Sequence, residues 1–251
     1  MRFIRYQKEE EAPRYGWIHG NKIGDIEGNL FGEFRRLDAT TPLEEVKLLA
    51  PSQPSKIICV GRNYAAHAKE HDAEVPNLPL IFFKPPSSLN NPNDAIILPH
   101  QSKQVEHEAE LVVVIGKRGR NIISEDAQEH ILGYTIGNDV TARDLQRADR
   151  LWTRGKGFDS FAPFGPWIDT EFDPSDAVIT CRVNGQMRQM ASTRDMVFSV
   201  GTIIAFISSV MTLEPGDLIF TGTPAGVGIL LKGDVVEIDI EGLGVLSNSV
   251  E

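Results

Sequence analysis

The chain has 251 residues, of which 41% are hydrophobic and 24% are charged, and its formal net charge at pH 7 is −10. This composition supplies a sizeable apolar core and excludes an intrinsically disordered chain. The acidic balance argues against nucleic-acid binding, which needs a basic surface, but it is compatible with a small anionic ligand. The cations that would supply a local positive field are Arg62, Lys84, Arg143 and Lys156.

Cysteine usage and apolar stretches bear on the location of the protein. Cys59 and Cys181 lie in apolar, strand-like surroundings, which predicts buried thiols in a reducing cytosol rather than a disulfide. The first ten residues lack the apolar run of a signal peptide, and the most apolar stretch, residues 197–211, is too short to cross a bilayer. We therefore predict a cytoplasmic protein without membrane contact, and a buried helix at residues 197–211.

Residues 1–52 alternate short apolar pairs with glycine and charged residues, which predicts a small β-rich N-terminal domain. The polar segment 51–55 contains two prolines and closes this domain, so the boundary falls after residue 52. Residues 53–251 form the larger second domain. Strands outnumber helices there, which indicates an α+β fold rich in β-structure.

A helix-forming segment follows a buried-strand pattern at residues 56–61, and it carries His67 and Glu70. At this spacing of three residues a carboxylate can orient an imidazole and stabilise its protonated form, as a general base requires. An exposed His–Glu pair of little energetic weight is the alternative. Further along, Lys84 ends a strand before two prolines, and it is either directed at a ligand or solvated in a loop.

Residues 106–116 predict a single strand that changes from acidic to wholly apolar along its length. Because side chains alternate along a strand and each residue rises about 3.3 Å, Glu108 and Glu110 are expected on one face, about 7 Å apart. Like charges at that distance need a cation or a proton, and a divalent metal ion would supply the cation where the strand opens into a cleft. A charged strand face turned towards water is the alternative.

A second short strand, residues 134–140, contains Asp139 near its end. A helix-capping pattern begins at Thr141 and precedes a predicted helix at residues 145–152. Asp139 therefore lies at a strand-to-helix junction, where a carboxylate is either an ordinary turn residue or a ligand.

Two glycine-rich loops follow in the C-terminal half. The first carries Lys156, which is either a mobile cation for an anionic ligand or a solvated side chain. The second, residues 221–228, lacks the Lys-Ser/Thr ending of a phosphate-binding loop and has no helix after it. A nucleotide site of that type is therefore excluded.

Considered as a set, these short motifs resemble the fumarylacetoacetate hydrolase superfamily. They occur in that family's order from about residue 56 to the C-terminus, so the set is specific although each motif alone is weak. The motifs are Gly61-Arg62-Asn63-Tyr64 with His67 and Glu70, Phe83-Lys84-Pro85, His107-Glu108-Ala109-Glu110-Leu111, Asn138-Asp139-Val140-Thr141-Ala142-Arg143-Asp144, Gly155-Lys156-Gly157-Phe158-Asp159 and Thr221-Gly222-Thr223-Pro224.

The resemblance implies a mixed β-strand roll and, usually, a homodimer. It implies a divalent metal ion held by Glu108, Glu110 and Asp139, and a catalytic pair of His67 and Glu70 on a segment that orders over the substrate. The family often has serine where this chain has Gly157, so any hydroxyl contact there is lost. The side chains that the resemblance assigns to the ligand are Arg143, Gln146, Lys156 and Thr223.

Three carboxylates without a cysteine or histidine ligand form a hard oxygen site, which favours Mg²⁺ or Mn²⁺ over Zn²⁺. The resemblance then implies a small anionic 2-oxo acid substrate whose enolate the metal stabilises. The first hypothesis is hydrolysis of a C–C bond in an acylpyruvate-like 2,4-dioxo acid, with His67 activating water and Lys156 neutralising developing charge. The second is oxaloacetate decarboxylation or 2-hydroxyhepta-2,4-diene-1,7-dioate isomerase-type activity. The third is a metal-binding scaffold without turnover.

Overall fold

A computed structural model describes residues 1–251, which form nineteen strands, four α-helices and four short 3₁₀ helices. The α-helices are α1 (Ala65–Glu70), α2 (Arg143–Asp149), α3 (Thr153–Lys156) and α4 (Val200–Val210). The strands are β1 (Arg2–Gln7), β2 (Arg14–His19), β3 (Lys22–Gly28), β4 (Phe34–Pro42), β5 (Lys47–Leu49), β6 (Ile57–Gly61), β7 (Leu80–Lys84), β8 (Leu89–Asn90), β9 (Val105–His107), β10 (Ala109–Ile115), β11 (Ile131–Asn138), β12 (Thr141–Ala142), β13 (Ala162–Asp169), β14 (Val178–Val183), β15 (Gln186–Ser192), β16 (Leu218–Phe220), β17 (Gly228–Ile229), β18 (Val235–Ile240) and β19 (Gly244–Ser249).

These strands form three sheets, which confirms the predicted β-rich α+β class. Twelve strands build one large sheet whose main order is β4-β3-β2-β1-β13-β11-β10-β16-β6-β7, with β5 beside β1 and β8 beside β13. The sheet is mixed, because β16 pairs in parallel with β6 and β13 in parallel with β8 while the other pairs are antiparallel. A four-stranded sheet, β15-β14-β18-β19, and a three-stranded sheet, β12-β9-β17, complete the roll.

The N-terminal strands continue the large sheet, because β1 pairs with β13 through Phe3 and Ile168. The N-terminal amine and the Arg2 guanidinium both pair with Asp169 at the end of β13, the latter at 3.1 Å. Residues 1–52 are thus joined to the rest of the chain by backbone hydrogen bonds and charge. The domain boundary after residue 52 stays a prediction.

Strand β10 is buried along its whole length, as expected for its apolar run. On one face Leu111, Val113 and Ile115 pack into the main core, which α4 and the four-stranded sheet also line. On the other face Val112 and Val114 belong to a second apolar cluster. Because both faces of β10 are packed, the strand is a rigid support for the carboxylate of Glu110 near its start.

The expectation of one continuous strand over residues 106–116 is wrong at Glu108. Strand β9 pairs with β12 and β17, whereas β10 pairs with β11 and β16 in the large sheet. At the change of sheet, the Glu108 N–H donates to the Asn138 side-chain oxygen and the Glu108 carbonyl accepts from the Asp139 N–H, both at 2.9 Å. The break therefore holds Glu108 beside Asp139.

Helix α2 differs from its predicted form, because it covers Arg143–Asp149 rather than residues 145–152. Thr141 does not cap it. The Thr141 hydroxyl instead donates to the Asp139 carbonyl at 2.8 Å, and Ala142 occupies the N-cap position without a side-chain hydrogen bond. The earlier start brings Arg143 into the first turn of the helix, next to the acidic residues of β9 and β10.

The helix predicted at residues 197–211 is α4, which begins three residues later at Val200. The Ser199 hydroxyl caps it by accepting from the Thr202 N–H at 3.2 Å. Only one face is buried, because Ile203 and Ile207 are inaccessible whereas Val210 is exposed. None of the helices in the protein combines the length and the apolarity needed to cross a bilayer. The cytoplasmic location stays a prediction.

Replacing Ser199 with alanine should lower the free energy of unfolding by about 1 kcal/mol, because the Thr202 N–H loses its acceptor. Ser209→Ala is the matched control, since Ser209 is exposed on the same helix and its hydroxyl bonds only the Phe206 carbonyl. The control should stay within about 0.5 kcal/mol of the parent. Urea unfolding measures all three proteins, and equal stabilities would contradict the cap.

Candidate active site

A cleft of about 290 Å³ opens beside α1, α2 and α3, over the start of β10 and the end of β6. Eight of the nine predicted site residues line it, and the ninth, Glu70, lies behind His67. The structure therefore brings together side chains that are more than 150 residues apart in the sequence. The eight are His67, Glu108, Glu110, Asp139, Arg143, Gln146, Lys156 and Thr223.

Three buried carboxylates form one end of this cleft. Ligand oxygens of Glu108, Glu110 and Asp139 all lie within 4.8 Å of one another, and each side chain is at most 5% exposed. Glu110 is also fixed by the Gly222 N–H, which donates to its Oε2 atom at 2.7 Å. The three carboxylates are thus held together by β10, by the β9–β10 break and by the end of β11.

The glycine at position 222 is required by this arrangement. Its backbone has φ of +98°, and a Cβ atom there would lie 2.7 Å from the Cβ atom of Asn63. A side chain would therefore meet a rigid neighbour and push the N–H away from Glu110. The glycine-rich loop at residues 221–228 therefore holds the Glu110 carboxylate in place through its backbone.

The pKa shifts within the cluster show how strongly its charges interact. Burial, together with the charges of Asp139 and Glu108, raises the pKa of Glu110 well above its usual value. Burial also opposes ionisation of Glu108, but Lys156 and Arg143 outweigh it and lower the pKa of that carboxyl below its usual value. The protein's own cations therefore satisfy Glu108 and leave Glu110 short of positive charge, as expected for a site that takes up a further cation.

Two buried lysines meet at Asp139, so the solvated-lysine interpretation is wrong for both. Lys156 Nζ donates to Glu108 at 2.8 Å and to Asp139 at 2.5 Å. Lys84 Nζ donates to the other oxygen of Asp139 at 2.7 Å and to the Val140 carbonyl at 3.1 Å. Burial alone would lower the pKa of Lys156, but Asp139 and Glu108 raise it above its usual value. Asp139 and Glu108 thus favour the protonated form of Lys156.

Arg143 links the helix α2 to the acidic residues. Its Nε donates to Glu106 at 2.8 Å, one terminal nitrogen bonds Glu108, and the other donates to Gln146 Oε1 at 2.6 Å. The sequence analysis missed Glu106, whose position two residues before Glu108 in the same acidic run was the available signal. Arg143 orients Glu108 through this network, and its predicted contact with a substrate stays a proposal.

His67 and Glu70 form the expected pair on the short helix α1. The imidazole Nδ1 lies 3.3 Å from Glu70 Oε2, and the Gly226 N–H donates to the same carboxylate. His67 is 7% exposed, so the alternative of a solvent-exposed pair does not describe it. Burial lowers the pKa of His67 below its usual value, which keeps the imidazole neutral at pH 7. His71 packs edge-on against it, with ring centroids 4.7 Å apart.

Thr223 and Gln146 line the cleft, and both side chains make hydrogen bonds within the protein. The Thr223 hydroxyl donates to the Ala109 carbonyl at 2.9 Å and accepts from the Gln189 amide at 2.8 Å. Gln146 keeps its amide nitrogen free after its oxygen accepts from Arg143. These bonds fix the loop at residues 221–228 against the start of β10.

The donor set fits a hard divalent cation. It contains three carboxylates and neither sulfur nor imidazole, which suits Mg²⁺ or Mn²⁺ better than Zn²⁺. Each carboxylate oxygen has two lone pairs, so it can accept a hydrogen bond from a lysine or arginine and still bind a metal ion. The surrounding cations then serve to orient the ligands. His67, Glu70 and His71 are a second group whose ligand atoms lie close together.

Comparison with family models identifies the family of this chain. The model described as "Fumarylacetoacetate (FAA) hydrolase C-terminal" matches residues 56–251, and the model described as "Rv2993c-like, N-terminal" matches residues 1–51. The first match covers most of the chain and includes every predicted site residue. The chain belongs to the fumarylacetoacetate hydrolase family, which confirms the resemblance found in the sequence.

Three relatives show the range of reactions associated with this fold. The oxaloacetate tautomerase FAHD2B of Bos taurus is 42% identical, over 100% of this chain and 91% of its own. The structure of a 2-hydroxyhepta-2,4-diene-1,7-dioate isomerase from Mycobacterium marinum is 44% identical, covers 100% of this chain and 98% of its own, and superposes with a TM-score of 0.92. A fumarylpyruvate hydrolase from Pseudomonas aeruginosa, in complex with Mn²⁺ and pyruvate, is 37% identical over 81% of this chain and 91% of its own, with a TM-score of 0.76.

Proposed function

We propose that this chain is a divalent-metal-dependent enzyme that hydrolyses a C–C bond of an acylpyruvate-like 2,4-dioxo acid. The observation that carries the proposal is that a carboxylate triad and the buried imidazole of His67 line one cleft, with the imidazole oriented by Glu70. A metal-binding scaffold would not need a neutral, oriented imidazole beside its ligands. The fumarylpyruvate hydrolase relative supports this class of reaction.

Glu108, Glu110 and Asp139 would hold Mg²⁺ or Mn²⁺ in this proposal. Bound there, the ion would act as a Lewis acid that favours the enolate of a 2-oxo acid. Lys156 and Arg143 remain positively charged beside the triad and would hold the carboxylate end of the substrate. Gln146 and Thr223 would complete the ligand contacts from the cleft wall.

His67 is the proposed general base. Because Glu70 bonds Nδ1, the imidazole is oriented with Nε2 as its acceptor atom. Nε2 would take a proton from water, and the hydroxide would add to the distal carbonyl of the substrate. The bond between that carbonyl and C3 then breaks, C3 receives the proton from the imidazolium, and the products are a carboxylate and pyruvate. Lys156 would neutralise the charge that develops during this sequence.

Oxaloacetate tautomerisation is the second candidate, and the relative with that name, 42% identical over the whole chain, favours it. The reaction moves a proton between C3 and the oxygen on C2 of the substrate, so it needs a base such as His67 but no attacking water. Isomerisation of an unsaturated dioate uses a similar proton transfer, and the isomerase neighbour supports it. Oxaloacetate decarboxylation is the remaining alternative. The homodimer stays a prediction.

The test is an assay of the metal-free protein before and after addition of Mg²⁺ or Mn²⁺. The substrates are acetylpyruvate, oxaloacetate and 2-hydroxyhepta-2,4-diene-1,7-dioate. We expect metal-dependent release of acetate and pyruvate from acetylpyruvate, abolished by a chelator and restored by the metal. Tautomerisation of oxaloacetate without acetylpyruvate cleavage would replace the first candidate with the second. Turnover of none of the three, with the metal bound, would leave the scaffold hypothesis.

A further inference from the structure

We propose that Arg62, Arg147 and Arg150 form a cationic rim that binds a second carboxylate, at the end of the substrate remote from the 2-oxo acid group. The rim would make the enzyme selective for dianionic over monoanionic 2-oxo acids. This inference rests on the proposed function, because it takes the 2-oxo acid group to bind at the carboxylate triad.

Helix α2 and the residue that ends it place two of these arginines at the cleft. Arg143, Gln146 and Arg147 follow the spacing i, i+3 and i+4, which puts them along one side of α2. Arg150 is the C-cap residue just after the helix, with a φ of +60°. All four line the cleft. The first two are buried beside the triad, whereas Arg147 and Arg150 are exposed. The helix therefore runs from the acidic end of the cleft to its solvent-facing end.

The three arginines of the rim form no salt bridge within the protein. Arg143 is ion-paired with Glu106 and Glu108, but Arg62, Arg147 and Arg150 have no carboxylate within 4 Å. Three unpaired guanidinium groups around one opening create a local positive field in an acidic protein, as an anionic ligand end requires.

The acidic residues of α2 are held by other partners. Asp149 pairs with Arg154, and Asp144 accepts from the Ser102 hydroxyl and the Lys103 N–H. Neither carboxylate is therefore directed at the rim. The charge of Arg147 and Arg150 remains available to a ligand because the neighbouring acids are already bonded.

Arg62 also lines the cleft, directly after β6. Its backbone has φ of +58°, in the left-handed region that is unfavourable for residues other than glycine. Asn63 fixes this conformation, since its side chain bonds the backbone of Phe198 and Thr221. The half-buried Arg62 side chain is thus held at the cleft by a backbone that the surrounding hydrogen bonds maintain.

The same cleft has an apolar wall that suits a short carbon chain. Val60, Phe82 and Trp152 are its apolar lining residues, and the rings of Phe82 and Trp152 pack edge to face at 4.9 Å. Gly61 lies directly against the Trp152 ring, which a Cβ atom would approach to 2.8 Å. A cleft with an acidic metal-ligand group, an apolar wall and an exposed cationic rim matches a 2-oxo acid with a hydrocarbon middle and an anionic far end.

A matched pair of ligands tests the rim by binding rather than by turnover. The ligands 2-oxoadipate and 2-oxohexanoate have the same number of carbons, but a carboxylate in the first replaces a methyl group in the second. Calorimetric titration of the Mn²⁺-loaded protein should show about tenfold tighter binding of 2-oxoadipate. The Arg147→Gln/Arg150→Gln double variant should lose most of this preference, Arg62→Gln should lose part of it, and the affinity for 2-oxohexanoate should stay unchanged.

The control variant is Arg182→Gln. Arg182 is exposed on β14, has no salt-bridge partner and does not line the cleft, so it removes the same charge elsewhere. Its preference for 2-oxoadipate should equal that of the parent. Added NaCl should weaken 2-oxoadipate binding more in the parent than in the double variant, because exposed charges are screened.

Oxalate separates the two ways in which the experiment can fail. Oxalate can chelate the metal ion through its two adjacent carboxylates, but it has no remote group that could reach the rim. Its binding therefore does not depend on the rim. If oxalate binds but the parent shows no preference for 2-oxoadipate, or the variants keep that preference, the rim is wrong and the metal centre stands. If none of the three ligands binds, the proposed function and the rim are both wrong.

Discussion

His67→Ala should lower kcat/KM for metal-dependent acylpyruvate cleavage by about 10²- to 10⁴-fold, the usual contribution of a general base. The physical reason is that His67 is buried, neutral and oriented by Glu70 beside the cleft. Lys156 is the weaker candidate for the base, because Asp139 and Glu108 raise the pKa of its amine above the usual value. Rates are measured at saturating metal, with ligand affinity determined in parallel so that a binding defect is not mistaken for a catalytic one.

The neighbouring imidazole provides the control for this prediction. His71 lines the same cleft and packs against His67, but has no carboxylate within salt-bridge distance. His71→Ala should therefore cost much less than His67→Ala. Decarboxylation of oxaloacetate needs no water-activating base, so any such activity should survive the loss of His67. An acylpyruvate rate within about threefold of the parent would remove His67 from the mechanism.

Glu110→Gln should weaken Mn²⁺ binding by roughly 100-fold or more, since it removes a direct ligand where even outer hydrogen-bonding groups are worth 10- to 100-fold. Activity should fall with the metal affinity while the fold is retained. The amide oxygen of glutamine can still accept the Gly222 N–H that now bonds Glu110. Calorimetric titration of Mn²⁺ measures the affinity, and circular dichroism monitors the fold.

The Glu106→Gln variant tests whether the loss of Mn²⁺ affinity in Glu110→Gln comes from the loss of a metal ligand or only from the loss of a negative charge. Glu106 is also buried and precedes Glu110 by four residues, but it bonds Arg143 and does not belong to the triad. Its loss removes the same negative charge near the site without removing a ligand. We expect a clearly smaller change in Mn²⁺ affinity than for Glu110→Gln. Equal losses would show that the two residues act only through their charge.

The fold class was predictable because local patterns carry it. The change from acidic to apolar residues after Glu106 marked a buried strand with carboxylates near its start, and the spacing of His67 and Glu70 indicated a pair on one helical turn. These patterns alone left a structural alternative open for each residue. The resemblance to the family supplied the metal role of the carboxylates and the ligand role of Arg143, Gln146 and Thr223.

The contacts between distant segments were not predictable in the same way. The break at Glu108 occurs because β9 and β10 join different sheets, and no local residue signals which partner strand each will find. The burial of Lys84 depends on Asp139, which is 55 residues away. A lysine at a strand end looks solvated until its acidic partner is known. The strand break and the burial of Lys84 are therefore set by tertiary contacts, which local sequence propensity does not predict.

The arginines on α2 are an intermediate case. The spacing of Arg143, Gln146 and Arg147 was present in the sequence and places them on one face of α2, and Arg150 is the C-cap residue that follows. The predicted helix began at residue 145, however, and this left Arg143 outside the pattern. In the structure Arg143 belongs to the helix, which begins two residues earlier than predicted because the Thr141 hydroxyl bonds the Asp139 carbonyl and does not cap the helix.

The most direct test of the metal centre is anomalous diffraction from crystals grown with Mn²⁺, with data collected on both sides of the manganese absorption edge. The account predicts one anomalous peak within about 2.0–2.3 Å of oxygens from Glu108, Glu110 and Asp139. The residues His67, Glu70 and His71 form the competing group of possible ligands. A peak at that group instead, or no peak at saturating Mn²⁺, would contradict the assignment of the three carboxylates as the metal site.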